Sequence, residues 1–311
     1  MANIMVTGGS GFIGSHLVDR LVSEGHTVYG VDDLSNGELE FVNPGSNFIL
    51  SDYAADAVLN LIKKKQFQVV YHLAAKPRVS YSVERPYETN EINVSKFVKL
   101  LEACVGNVDR FINTSSSSVY GGASVLPTPE NYPFDPKSPY ALQKSITEYY
   151  CSLFSDLYGL DTVSVRPFNV FGPRQKADGP YGTAVSAWLS AIKKNEPLRS
   201  DGDGSQTRDM NFVDNVVDVY VRLLGYENKL NGAAVNAGTG SSVSNNDILN
   251  NLKSRYPSLK IVKAPVRPGD VKDTKADMTA ANNLLGHKTL VDFWDGLDKT
   301  IEWVMTNKLG G

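Results

Sequence analysis

The chain has 311 residues, with 31 Lys and Arg against 34 Asp and Glu, a formal charge of −3. This balance excludes the one-signed field on which wholesale nucleic-acid or anionic-membrane binding depends, and the length lies where one core begins to divide into two lobes. Two cysteines, Cys104 and Cys151, are too few and too far apart for a disulfide framework or a thiolate zinc site, so no metal is expected.

The opening MANIMVTGG has neither a basic segment nor an apolar core, so no signal peptide is read. No apolar run approaches the ~18 residues of a membrane span, and a cytoplasmic protein is expected. Short β-branched runs then alternate with helical periodicity. The predicted strands cover 4–7, 27–32, 68–75, 110–117 and 161–169; between them fall 3.6-spaced apolar residues such as Phe12, Leu17, Leu21 and Val22, or Phe97, Leu100, Leu101 and Cys104. Strands apolar almost throughout, alternating with helices, predict an α/β fold with a doubly wound, Rossmann-type parallel sheet. After Asn169 the stretches VFGPRQKADGPYG and RSDGDGSQTRD read as ligand-facing loops around a helix at 183–194, and further helices are expected near 214–224, 244–256 and 292–307. The division is a cofactor domain over 1–171 and a smaller α/β substrate lobe over 172–311, with segments returning to the first.

Residues 4–14, IMVTGGSGFIG, place Gly8, Gly11 and Gly14 between a strand and an amphipathic helix, with Phe12 and Ile13 opening the helix. Glycine permits the tight turn and lets a pyrophosphate approach the free N–H groups of the helix start. Asp32 closes the second strand, where a carboxylate accepts from an adenosine ribose. No Lys or Arg occurs from 21 to 62, so a 2′-phosphate would find no sequence-local cation and NAD is preferred to NADP. Asp33 and Asn36 are further ribose candidates and Asp52 a candidate for the adenine edge; each is equally well read as a turn residue.

Farther on, RFINTSSSSVYGG ends a strand in four serines, and SPYALQKS opens a helix carrying Tyr140 and Lys144 at i and i+4, on one face. A cation within ~4 Å of a phenol favours its ionised form, so Lys144, helped by an oxidised nicotinamide, is expected to pull Tyr140 down toward the range where a general base works. Tyr256 and Lys260 repeat the spacing, but Pro257 and the lack of a serine-rich strand mark a helix end.

These segments resemble the extended short-chain dehydrogenase/reductase family in its nucleotide-sugar 4-epimerase branch, the UDP-glucose and UDP-N-acetylglucosamine type. The resemblance rests on TGGSGFIGSHL, HLAA, EINV, SSSSVYG, YALQK, RPFNVFGPRQ, GDGSQTRD and RPGDVKDTKAD, and spans nearly the whole chain. It implies tightly held NAD and a nucleotide-diphosphate sugar whose C4 is inverted through a 4-keto intermediate. Ser116 would bond the sugar 4-oxygen beside Tyr140, Lys144 would also hold the nicotinamide ribose, and Leu73, Ala74, Ala75 and Asn93 would line the cofactor. Asn169 and Arg174 would meet the substrate, Arg208 and Arg267 would clamp its diphosphate, Asp270 would hold its ribose, and Thr274, where a bulky tyrosine would restrict the pocket, would admit a 2-acetamido group. Ser117 and Ser118 replace the Asp-Glu pair of the 4,6-dehydratases. Asp201 stands where an aromatic residue often meets the uracil, which leaves the nucleobase open. Other readings are a uronate 4-epimerase using Arg174 or Arg199, another sugar-nucleotide oxidoreductase, and a non-catalytic NAD sensor. Helices around 86–104 and 140–158 would form the interface of a homodimer.

Overall fold

A computed structural model describes residues 1–176, 183–266 and 271–307. The first half runs β1 (Asn3–Thr7), α1 (Phe12–Ser23), β2 (Thr27–Asp32), β3 (Asn47–Leu50), α2 (Asp56–Lys63), β4 (Val69–His72), α3 (Val79–Glu84), α4 (Pro86–Asn90), α5 (Lys96–Cys104), β5 (Arg110–Thr114), α6 (Pro139–Tyr158), β6 (Asp161–Pro167) and β7 (Val170–Phe171). The second runs α7 (Ala184–Lys194), β8 (Leu198–Asp201), β9 (Thr207–Arg208), β10 (Asn211–Phe212), α8 (Val213–Gly225), β11 (Ala233–Ala237), β12 (Val243–Ser244), α9 (Asn245–Arg255), β13 (Ile261–Ala264), α10 (Thr279–Leu285) and α11 (Phe293–Thr306).

Seven strands form one sheet in the order β11-β6-β5-β4-β1-β2-β3, parallel throughout. The order reverses at β1, so a crevice opens beyond the carboxyl ends of β1 and β4, where ligands of doubly wound sheets bind. Strands β4, β5 and β6 are buried at every residue because helices cover both faces. One core packs α1 and α8 on one face through Leu17, Leu21, Val216 and Tyr220; the other packs α2, α5 and α6 through Leu59, Phe97, Leu100 and Cys151. Full burial of each such side chain stabilises by roughly 1.5–3 kcal/mol.

The parallel, doubly wound reading is thus observed, with differences at the strand ends. The strands expected to reach 75, 117 and 169 stop at His72, Thr114 and Pro167, where the chain leaves the ladder and delivers its next residues to the crevice. Strand β3 was not predicted: NFIL is a half-exposed edge with no apolar alternation, held by pairing to β2 alone. Strand β11, from the second half of the chain, pairs with β6 and completes the sheet. Helix boundaries follow their caps. Ser138 accepts from Ala141 N–H, Pro139 pre-sets the first turn of α6, and Gly159, at φ 69°, ends it. Capping boxes at Thr183 and Ser244 start α7 and α9. Among the described residues no helix is long and apolar enough to cross a membrane.

Candidate active site

A cleft of about 950 Å³ runs along the carboxyl edge of the sheet, from the turn after β1 to the segment before α10. At its first end Gly8 has φ 73°, and a Cβ there would stand 2.8 Å from the backbone nitrogen of Ala74. A Cβ on Gly14 would lie 2.0 Å from the Gly8 carbonyl oxygen, so α1 can pack this closely on the turn only as glycine. Gly11 caps α1 and its N–H closes the turn on Gly8. Phe12 and Ile13 follow in the first turn, whose N–H groups have no helical acceptor and point at an anion site. These residues fit a dinucleotide pyrophosphate.

Asp32 sits where β2 ends, accepting from Ser10 N–H at 3.0 Å and Leu34 N–H at 2.8 Å. Burial raises its pKa against those two donors. Asp33 behaves oppositely: burial raises it, but Ser35 and the charges of Lys76 and Lys96 outweigh that and hold it low. Asn36 lines the same stretch, and Asp52 accepts from Ala54 N–H at 2.8 Å while pairing with Lys96. Leu73, Ala74 and Ala75 form the opposite wall. Asn93 belongs behind it: in a π turn at Glu91–Ser95, it accepts from Lys76 N–H and donates to Lys76 O and Gln143 Oε1, at 2.8, 3.1 and 2.8 Å. Its contribution is to fix the loop after β4 rather than to face the cleft.

Ser116, Tyr140 and Lys144 converge at the middle of the cleft. Ser116 opens a 3₁₀ turn at Ser117–Tyr120, accepts from Ser118 N–H and from the Ser118 hydroxyl, and stands near enough to the Tyr140 hydroxyl to oppose the effect of burial on it. Tyr140 is held from behind by its own N–H, which donates to Ser82 Oγ of α3 at 3.0 Å. Lys144 Nζ donates to Thr114 O at 2.6 Å and lies 6.0 Å from the Tyr140 ring centroid. In the chain by itself burial raises Tyr140, and what opposes burial is the nearby Ser116 hydroxyl and the charge of Arg78 rather than Lys144; Lys144 is itself pulled down by burial to about 8, with Glu148 acting the other way. The ammonium is directed at the Thr114 carbonyl, one layer beneath the phenol.

Two features were not singled out from the sequence. Arg78 occupies the N-cap position of α3 and lines the cleft together with Tyr140. Glu148, one helical step beyond Lys144, binds Ser115 and takes Arg166 on both oxygens; Arg166 in turn donates to Tyr120 OH at 2.7 Å. The spacing 140, 144, 148 along one face of α6 is the signal that marks Glu148.

At the far end Asn169, with φ 28°, donates to Asp209 O and Thr274 Oγ1, both at 3.0 Å, and Thr274 Oγ1 accepts from Asp209 N–H at 3.1 Å. Arg208 on β9 lines the cleft and donates to the carbonyls of Thr207 and Lys272, both at 2.9 Å. Arg174 turns toward the cofactor end, pairing with Asp19 of α1 at 2.7 Å. Arg199 pairs with Asp201 at 2.7 Å, away from the cleft. Arg267 and Asp270 lie outside the described residues. Tyr256 ends α9, so it shares no helical face with Lys260. Among the described residues no group of three or more His, Cys, Asp or Glu is placed to hold a metal.

A glycine turn leading into a helix, an acidic end to β2, and Ser, Tyr and Lys gathered beyond β5 define an NAD-dependent enzyme of the extended short-chain dehydrogenase/reductase class. Residues 4–238 match the NAD dependent epimerase/dehydratase family, and the chain belongs to it. It is 37% identical over 307 residues to the UDP-glucose 4-epimerase of Mycolicibacterium smegmatis, spanning 96% of this chain and 97% of that one. The crystal structure of the Thermotoga maritima UDP-glucose 4-epimerase with UDP-glucose superposes with a TM-score of 0.92 at 34% identity, covering 97% and 98% of the two chains. The UDP-N-acetylglucosamine 4-epimerase of Methanobrevibacter ruminantium M1, in complex with UDP-N-acetylmuramic acid, gives 0.91 at 35%, covering 98% of each. The chain is thus an epimerase of the nucleotide-sugar 4-epimerase group, with NAD as its cofactor.

Proposed function

We propose that the chain inverts C4 of UDP-sugars and accepts both the UDP-glucose/UDP-galactose and the UDP-N-acetylglucosamine/UDP-N-acetylgalactosamine pairs. The observation that carries this reading is the meeting, in one cleft, of Ser116 and Tyr140 with Asn169, Arg208 and Thr274. Tyr140, as phenolate, takes the proton of the sugar 4-OH while Ser116 holds the 4-oxygen. Bound NAD would supply the hydride acceptor and donor for C4. The 4-keto sugar turns about its diphosphate linkage, so that hydride would return to the opposite face of C4, and Tyr140 gives the proton back to the 4-oxygen. Lys144 would hold the nicotinamide ribose, with Asp32, Asp33 and Asn36 at the adenosine and the first turn of α1 at the pyrophosphate. Arg208 would face the substrate diphosphate together with Arg267, and Asp270 would hold the nucleotide ribose.

Breadth follows from Thr274. Its hydroxyl is engaged by Asn169 and Asp209, and its small side chain leaves room beside the sugar C2. A uronate substrate is supported less, because Arg174 and Arg199, the cations suggested for its carboxylate, are paired with Asp19 and Asp201. The working unit is proposed to be a homodimer. Leu142, Tyr149, Leu153 and Leu157 form one exposed apolar face of α6, which a second copy would cover; light scattering of the purified protein checks this. To test the activity, UDP-glucose and UDP-N-acetylglucosamine are incubated separately with the enzyme without added NAD, and their anomeric proton signals are followed. Both should interconvert with their C4 epimers; turnover of UDP-glucose alone would contradict the breadth, and turnover of neither would contradict the activity.

A further inference from the structure

The reading that NAD stays bound through each catalytic cycle requires something to keep it, and residues 173–176 form a bridge over the adenosine half of the cleft. Gly172 starts the bridge: a Cβ there would stand 2.8 Å from Val213 Cγ1, so the chain passes closely over α8 toward α1. His16 of α1 then donates from Nε2 to Pro173 O at 3.1 Å. Arg174 follows in the left-handed region, at φ 67°, which a non-glycine residue adopts only when its surroundings hold it. What holds it lies on both sides of the groove. Its Nη2 pairs with Asp19 Oδ2 of α1 at 2.7 Å, and its guanidinium lies 5.6 Å from the ring centroid of Phe41, in the segment beyond β2. Asp19 is itself oriented, because Asn43 donates to its other oxygen at 2.7 Å.

Two residues on, Lys176 pairs with Glu38 at 2.5 Å, between β2 and Phe41, close enough for its charge to act on Asp32. Gln175 anchors the middle, donating to Val170 O at 2.8 Å and accepting from Thr183 at the start of α7 at 3.0 Å. One four-residue segment of the second lobe is thereby fastened to α1 on one wall and to the loop after β2 on the other. Phe12, Ile13 and Asp32 lie in the groove it crosses, where the pyrophosphate and adenosine ribose fit.

We propose that residues 173–176 are a retaining strap for NAD, closed by the Arg174–Asp19 and Lys176–Glu38 ion pairs, so that release of the dinucleotide requires both pairs to open. Arg174 is then a residue of cofactor retention, in place of the substrate contact expected of it from the sequence. Both pairs are partly exposed, with side-chain exposures of 25% and 34% in one and 37% and 38% in the other, so each is individually weak and sensitive to salt.

The test uses protein loaded with NAD, desalted, and sampled over time for nucleotide still bound. In Asp19→Asn/Glu38→Gln, NAD should leave about tenfold faster than from the wild type, and each single variant should fall between. Raising salt from about 50 mM to about 500 mM should speed release from the wild type and leave the double variant nearly unchanged. Arg174→Ala should match Asp19→Asn, and combining the two should add nothing, as expected for partners in one pair. The variants alter partly exposed groups, so the NAD-free proteins should melt with the wild type, while the rise in Tm on adding NAD should be smaller. Release within about twofold of the wild type in the double variant, or an unchanged salt response, overturns the strap. If the wild type interconverts no UDP-sugar, the proposed activity falls, and these release rates still decide the strap because they require no turnover.

Discussion

The two ends of the cleft are built in opposite ways. At the cofactor end the functional groups come from one short stretch: Gly8, Gly11 and Gly14, then Asp32, each fixed by backbone contacts within about one β–α–β unit. At the substrate end Asn169, Arg208 and Thr274 come from segments as much as 105 residues apart; Asn169 and Thr274 bond to each other and to the Asp209 backbone, and Arg208 bonds to the carbonyls of Thr207 and Lys272. The first design is rigid because the backbone itself has no slack. The second can be retuned one side chain at a time without disturbing the sheet, which is where the proposed breadth toward sugars is to be tested.

Breaking the rigid end should have the largest effect. Gly14→Val places side-chain atoms against a carbonyl that a Cβ alone would approach to 2.0 Å, so α1 must shift and NAD binding should be abolished, read as loss of bound nucleotide after desalting. Next is Tyr140→Phe, which removes the proton-transferring hydroxyl yet leaves the N–H bond to Ser82; turnover should fall by at least about a hundredfold with NAD retained. At the adaptable end Thr274→Tyr should lower turnover of UDP-N-acetylglucosamine by about tenfold or more relative to UDP-glucose, as judged from paired kcat/KM values.

The smallest effect tests the link between the ends. Arg78→Ala removes a positive charge that opposes the burial of the Tyr140 phenol, so the phenol should ionise at higher pH. The acid limb of the pH–rate profile should move to higher pH, costing up to about tenfold at neutral pH and little at high pH. An unmoved profile would remove Arg78 from the account. Stability carries a related sign. Lys144 is depressed by burial to about 8, below the 10.5 of an unfolded lysine, so between those values the unfolded chain binds more protons. Lys144 should therefore contribute stability that grows as pH rises through that window, while the buried thiols of Cys104 and Cys151, raised by burial, act the other way; the Lys144 part is read as the difference between the wild type and Lys144→Met in denaturant titrations across that range.

That the glycine turn, Asp32, Tyr140 and Lys144 line one cleft was legible in the sequence because each depends on spacing within one or two elements, whereas the choice of Ser116 among the four serines came from the family resemblance. Arg78 and Glu148 were not assigned roles, because what matters is the surface they meet: α3 seated on α6, and β6 bringing Arg166 to Glu148. The absence of Lys and Arg from 21 to 62 supported NAD, yet the folded chain carries Lys96 and Lys176 into that region from elsewhere. They are paired with Asp52 and Glu38, so the local charge is balanced in a way that only the tertiary structure reveals. Edge strand β3 escaped notice for a similar reason, being held by hydrogen bonds to β2 with little apolar pattern of its own.

The central claim is that Tyr140 moves only the hydroxyl proton while the C4 hydrogen leaves and returns within one closed site. The most direct measurement supplies UDP-glucose deuterated at C4 to the enzyme in ordinary water, with no added NAD, and analyses the UDP-galactose formed. The account predicts that the product retains deuterium at C4 and that Tyr140→Phe forms almost none of it. Deuterium lost to solvent, or undiminished turnover in Tyr140→Phe, would contradict the account.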